Sequence, residues 1–265
     1  MKWKLLVLML VLGLVAGIGF AAEKAAPAPA APAAPAAPAA PAAPAAKAPA
    51  APQDPSVAAV KPGDAFLKSH ESFLQRIKEG PVGLLFIGDS ITAGWRGAQE
   101  TWNKYYGKCS PANFGIGGDR TQHVLWRIEN GELDGISPKV VVLMIGTNNT
   151  GGDSGEAIAK ADIKIVQAIR AKLPKTKVLV LGVFPRGDRK SGELSATAMP
   201  KIKEVNAALA KLDDGNMIRF LDITEKFLSG GKIPADVMPD QLHPNAKGYQ
   251  IWAEAMQPLL EQMMK

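Results

Sequence analysis

The sequence predicts a three-layer, doubly wound α/β domain built on a parallel sheet. Four apolar runs, at 84–87, 139–145, 177–184 and 217–223, are continuous rather than alternating. Strands buried on both faces require that pattern. Amphipathic helical stretches separate the runs, and such strand–helix order closes through right-handed crossovers. Residues 57–265 are enough to give one such domain a sizeable core.

Two segments precede that domain. Residues 1–22 carry Lys2 and Lys4, then an apolar run, then Gly19, Ala21 and Ala22. A basic start, an apolar stretch and small residues read as a signal peptide, hence an exported protein. An uncleaved anchor is the alternative, because 5–22 is just long enough to span a bilayer. Residues 23–56 are an Ala/Pro tract with Pro29, Pro32, Pro35, Pro38, Pro41 and Pro44 in a period of three. That period matches polyproline II. At about 3.1 Å per residue the tract would reach about 90 Å, a linker holding the domain off a membrane or cell wall. Low-complexity sequence without a binding role reads equally well.

Within the domain, 64–78 places Phe66, Leu67, His70, Phe73, Leu74 and Ile77 on one helical face. The run 84–87 between Gly83 and Gly88 is the first strand, and 113–115 is a short one. A helix over 121–129 carries Val124, Leu125 and Ile128. After strand 139–145 comes a helix over 154–172, with Ile158, Ile165 and Ile169 on its face and Ser154 as its cap. Strand 177–184, a helix over 196–212, strand 217–223 and a helix over 245–264 capped by Asn245 complete the order.

The formal charge is +6, or +4 once Lys2 and Lys4 are removed, with basic residues scattered among acids. No basic stripe points to nucleic acid. Cys109 is the only cysteine, so no internal disulfide forms, and it reads as a quiet half-buried thiol.

Ligands in such sheets bind beyond the carboxyl ends of the strands. There the chain carries Gly88-Asp89-Ser90, Gly115-Ile116-Gly117-Gly118, Gly146-Thr147-Asn148-Asn149 and Asp240-Gln241-Leu242-His243. Ser90 after a strand is a nucleophile only if a base takes its proton; alone it reads as a helix cap. Three histidines are available. His70 falls on an apolar helical face, where it reads as a packing or surface residue. His123, in the first turn of a helix, could reach the crevice but has no obvious orienting carboxylate. His243 follows Asp240 by three residues, so a carboxylate can hold Nδ1 while Nε2 faces outward. Asn148 is either an oxyanion donor or a turn residue. Gly117 has no Cβ to keep a ligand from its backbone. The glycine loop lacks the ending of a phosphate-binding loop and the G-x-G-x-x-G spacing.

These four blocks, in order, resemble the SGNH/GDSL hydrolase superfamily. The stretches FIGDS (86–90), NFGIGGDRTQHVLWRIENGEL (113–133), PKVVVLMIGTNN (138–149) and VLGVFPRG (180–187) are similar to the catalytic subunits of platelet-activating factor acetylhydrolase IB. The resemblance implies a flavodoxin-like fold with five parallel strands. It implies a triad of Ser90, Asp240 and His243, and an oxyanion hole from the Ser90 and Gly117 N–H groups and the Asn148 amide. It implies no metal or organic cofactor, and it makes a homodimer an expectation to test. The expected activity is hydrolysis of short acyl esters, acetyl above all, on a small-molecule or carbohydrate substrate. A phospholipid deacylase or thioesterase is the alternative, and a non-catalytic surface-binding module the rival from another class. The N-terminal segments are unlike the intracellular relatives, which argues against the platelet-activating lipid as the natural substrate, and the loop 150–153 beside the site differs from the mammalian subunits, a change that would reshape the acyl pocket.

Overall fold

A computed structural model describes residues 54–265. The signal-peptide reading of 1–22, and all but the last three residues of the linker reading, lie outside the described residues. Those three, Asp54 to Ser56, already belong to the folded domain. Pro55 and Ser56 are buried. The Pro55 carbonyl accepts from Thr121 Oγ1 at 3.0 Å and the Ser56 carbonyl from Lys164 Nζ at 2.9 Å. The domain therefore begins ahead of residue 57, because a segment of low local propensity gains its order from distant partners.

Five strands form one parallel sheet in the order β2-β1-β3-β4-β5. They are β1 (Leu84–Gly88), β2 (Pro111–Gly115), β3 (Val140–Met144), β4 (Lys177–Leu181) and β5 (Ile218–Leu221). Among the described residues seven α-helices accompany them: α1 (Asp64–Lys78), α2 (Ser90–Ala93), α3 (Gln99–Tyr106), α4 (Thr121–Glu129), α5 (Gly155–Lys172), α6 (Ala198–Leu209) and α7 (Ala246–Met264). Every expected strand and helix is present, most of them shorter than its apolar run. The helix expected to start at Ser90 is the single-turn α2; α3 was not expected, and it has only Trp102 and Tyr106 buried.

The alternation of side chains along each strand divides the core in two. Leu85, Ile87, Val141, Leu143, Val178 and Val180 pack under α1, α4, α5 and α6. Leu84, Phe86, Val140, Val142, Leu179 and Leu181 pack under α2, α3 and α7, with Trp95, Trp102 and Trp252. The two edge strands depart from burial on both faces: Pro111 and Asn113 of β2 are half-buried, and β5 is half-buried along its length. Leu67, expected on the inner face of α1, is exposed, while Phe66, His70 and Phe73 are buried. Ser154 and Asn245 cap α5 and α7 as expected, accepting from Ala157 N–H and Gly248 N–H, each at 3.1 Å. Cys109 is a half-buried free thiol.

Candidate active site

Ser90 follows β1 and opens α2. Its neighbour Asp89 caps that helix, accepting at Oδ1 from Ile91 N–H at 2.9 Å. The capping role weighed for Ser90 thus belongs to Asp89. Ser90 Oγ lies 2.9 Å from His243 Nε2, across 153 residues of chain.

His243 Nδ1 lies 2.7 Å from Asp240 Oδ2. Asp240 Oδ1 accepts from the backbone N–H groups of His243 at 2.7 Å and Leu242 at 3.1 Å. Between them Gln241 has φ 63°, a left-handed conformation uncommon outside glycine. That turn brings two successive amides to one carboxylate oxygen. Partial burial pushes the Asp240 carboxyl up, but the bonds from the His243 side chain and backbone outweigh it and hold the pKa at about 2. An ionised Asp240 keeps a proton on Nδ1, leaving Nε2 to accept the Ser90 hydroxyl proton.

The other two histidines are occupied elsewhere. His123 Nδ1 accepts from Arg120 N–H at 3.0 Å at the start of α4. Burial, with Lys61, Arg120 and Arg127 nearby, lowers its pKa to about 4. His70 is buried with Nδ1 3.2 Å from Glu132 Oε1.

Among the described residues, neither the Ser90 nor the Gly117 N–H has a backbone acceptor. Space for a side chain at Gly117 is open, so no protein backbone packs against its Cα. Gly146, with φ 119°, turns the chain sharply out of β3 and into the loop carrying Asn148. Asn148 Nδ2 donates to the Asp119 carbonyl at 2.8 Å. The turn chemistry weighed for Asn148 belongs to buried Asn149. Its amide accepts from Thr121 N–H at 3.1 Å and donates to Asp153 Oδ2 at 2.8 Å.

Several residues around this site were not singled out in the sequence. Arg127, fully buried on α4, donates to Asp119 Oδ2 at 3.0 Å, the Phe114 carbonyl at 3.1 Å and the Gly88 carbonyl at 3.3 Å, and pairs with Glu132. One guanidinium thereby joins the end of β1, just before Ser90, to the loop around Gly117. A charged residue beside Val124, Leu125 and Ile128 on an otherwise apolar face was the available signal. Lys61, from the segment before α1, bonds the Gly117 carbonyl and lies 3.6 Å from Asp119 Oδ1. Arg189 reaches Asp240 from the loop after β4. No local pattern marks either.

Residues 86–251 match the GDSL-like Lipase/Acylhydrolase family. The chain belongs to that family. It is 36% identical over 204 residues to platelet-activating factor acetylhydrolase IB subunit alpha2 of Rattus norvegicus, covering 76% of this chain and 85% of the relative. A GDSL-like lipase from Bacteroides thetaiotaomicron shares the fold, with a TM-score of 0.59, 20% identity and coverage of 73% and 97%. An acetyl xylan esterase shares it too, at 0.54, 22%, 67% and 98%.

Two clefts flank the Ser90–His243–Asp240 relay of this acylhydrolase. One of about 350 Å³ contains Ser90, Gly94, His243, Pro244, Asn245 and Tyr249. The other, of about 370 Å³, is bounded by Thr150, Arg186, Asp188, Arg189, Asp240 and Leu242. A larger groove of about 750 Å³ between α5 and α6 holds none of the site residues.

Buried Asp89 gives the site a pH-dependent stability. Burial raises its pKa to about 7, with Asp119 acting in the same sense and the Ile91 amide opposing. The folded state therefore holds this proton more tightly than the unfolded chain does. The resulting stability is full below about pH 3.8, declines as pH rises, and is gone above about 7. The slope is at most about 1.4 kcal/mol per pH unit. Urea titrations across that range are expected to show wild type losing stability relative to Asp89→Asn; parallel curves would contradict the assignment.

Proposed function

We propose that this acylhydrolase removes short acyl groups, acetyl foremost, from hydroxyls of a carbohydrate through a covalent acyl-enzyme on Ser90. The observation that carries the reading is the continuous relay from Ser90 Oγ through both His243 nitrogens to Asp240. As Oγ attacks the ester carbonyl, His243 Nε2 takes the hydroxyl proton and Asp240 stabilises the imidazolium. The Ser90 and Gly117 N–H groups and the Asn148 amide bear the oxyanion, each donor being worth roughly 10²–10³ in rate. Collapse breaks the ester C–O bond, and His243 gives its proton to the leaving alcohol. Water, deprotonated by His243, then releases the acid and restores Ser90.

The acetyl preference and the sugar are supported by relatives named as an acetylhydrolase and an acetyl xylan esterase. The acetylhydrolase relative also favours a second reading, deacetylation of a phospholipid. The basic and apolar start of the chain supports action outside the cytoplasm.

Rates with p-nitrophenyl esters of two to twelve carbons, followed by acetate release from acetylated xylan, test the proposal. The expected result is a kcat/KM that falls at least about tenfold from two carbons to eight. A rate rising with chain length would overturn the short-acyl reading and favour lipid. Acetate release from an acetylated phospholipid but not from the glycan would replace the sugar with the lipid.

A further inference from the structure

We infer that Arg189 is a positioning residue of the triad, holding Asp240 in place and setting the pH range over which His243 works as a base. This inference rests on the serine-esterase reading above. Arg189 Nη2 donates to Asp240 Oδ2 at 2.7 Å, and Arg189 Nε donates to the Asp240 backbone carbonyl at 3.1 Å. The side-chain oxygen it binds is the one that accepts from His243 Nδ1. One guanidinium therefore grips Asp240 at two points and shares its catalytic oxygen.

The loop that presents Arg189 is built for this contact. Its root is pinned by Gly187 N–H donating to the Gln241 carbonyl at 2.8 Å, next to Asp240. Gly187 packs so closely on the Gln241 side chain that a Cβ there would collide with it. At its tip, Asp188 Oδ1 accepts from Lys190 N–H at 3.0 Å and from Ser191 N–H at 2.9 Å, closing a turn around Arg189. Asp188, committed to that turn, is not the partner of Arg189. Both ends of the hairpin are thus anchored independently of the guanidinium.

Two consequences follow from charge and geometry. Asp240 Oδ1 is fixed by two amides, so Oδ2 is the oxygen whose aim depends on a second donor. A cation on Oδ2 also offsets part of the negative charge that would otherwise stabilise the imidazolium, so it opposes protonation of His243 at acid pH. The groups facing His243 are Asp240 on its own loop, Arg189 from the hairpin, Asp89 beyond β1, and Ser90 and Tyr249 at the cleft. The Tyr249 phenol is bonded to the Ile91 carbonyl at 2.7 Å and burial raises its pKa far above neutrality. Arg189 is the one cation bonded to the relay among the described residues; Arg186, which donates to the Thr147 carbonyl, Lys190 and Asp188 line the same cleft as Asp240 without bonding it. The Arg189 side chain is 66% exposed, so its field is open to screening by salt.

The test compares wild type, Arg189→Gln and Arg189→Lys in pH–rate profiles with p-nitrophenyl acetate, at about 0.05 M and 1 M salt, alongside Ser90→Ala. At low salt, Arg189→Gln is expected to move the acid side of the profile to higher pH and to lower kcat several-fold with KM little altered. Arg189→Lys keeps the charge without the fork, so the acid side stays near wild type while kcat falls part-way. At 1 M salt, where the screening length is about 3 Å, the gap between wild type and Arg189→Gln on the acid side is expected to close. An acid side that is unmoved or lowered in Arg189→Gln would overturn the inference while leaving the esterase reading intact. Hydrolysis that persists in Ser90→Ala would remove the esterase reading, and the inference with it.

Discussion

Ser90→Ala is expected to reduce kcat for acetyl esters by roughly 10⁴-fold or more. In the proposed mechanism the hydroxyl oxygen forms the new bond, and its side-chain partner is His243 Nε2 at 2.9 Å. Replacing it leaves the helix cap on Asp89 untouched, so folding stability should change by no more than about 0.5 kcal/mol. His243→Ala should cost about as much as Ser90→Ala, and the double variant little more, because nucleophile and base act as one unit. The measurement is kcat/KM with p-nitrophenyl acetate for the three variants, with urea unfolding as a control. Comparable rates in wild type and all three would end the triad assignment. A double variant far slower than either single one would mean that the two side chains act separately.

The second large effect concerns stability. Arg127→Met should destabilise the domain by about 3–5 kcal/mol, because it leaves charges buried without their partner. Asp119 and Glu132 have fully buried side chains, and both pair with this guanidinium. The Gly88 and Phe114 carbonyls lose a donor at the same time. Activity should fall with stability, since Gly88 leads into Asp89 and Ser90, and the Asp119 carbonyl holds Asn148. Removing all three charges, in Arg127→Met/Asp119→Asn/Glu132→Gln, should recover part of the lost stability, because the uncompensated charge and not the missing attraction dominates the cost. Urea denaturation of both variants measures this. A single variant within 1 kcal/mol of wild type would show that the network carries little.

Much of the fold was legible because its signals are local. The runs LLFI and VVVLM are contiguous because parallel strands are covered on both faces. Strand β5 was legible as a strand but not as an edge, since its neighbours decide its burial. Helix α3 was missed because two buried aromatics in eight residues leave no periodic trace. In the site, Asp240 and His243 were legible because three residues of separation put both on one turn. Asn148 and Asn149 sit side by side with the same chemistry, and only their neighbours separate the cleft residue from the buried turn residue.

Ser90 could equally have been a cap by its own surroundings, and its resemblance to a known block supplied the role that geometry then supports. The contacts that surround it come from far along the chain. Arg189 lies 51 residues from Asp240, Arg127 lies 39 from Gly88, and Lys61 lies 56 from Gly117. By itself the sequence determined the strand and helix types, the order of the four blocks and the pairing within 240–243, because each depends on side chains a few residues apart. The tertiary structure alone decided which serine neighbour caps the helix, which histidines are occupied, and which cations hold the loops. Those outcomes depend on crossovers that bring strand ends together, and on burial, which determines whether a charge or hydroxyl must find a partner.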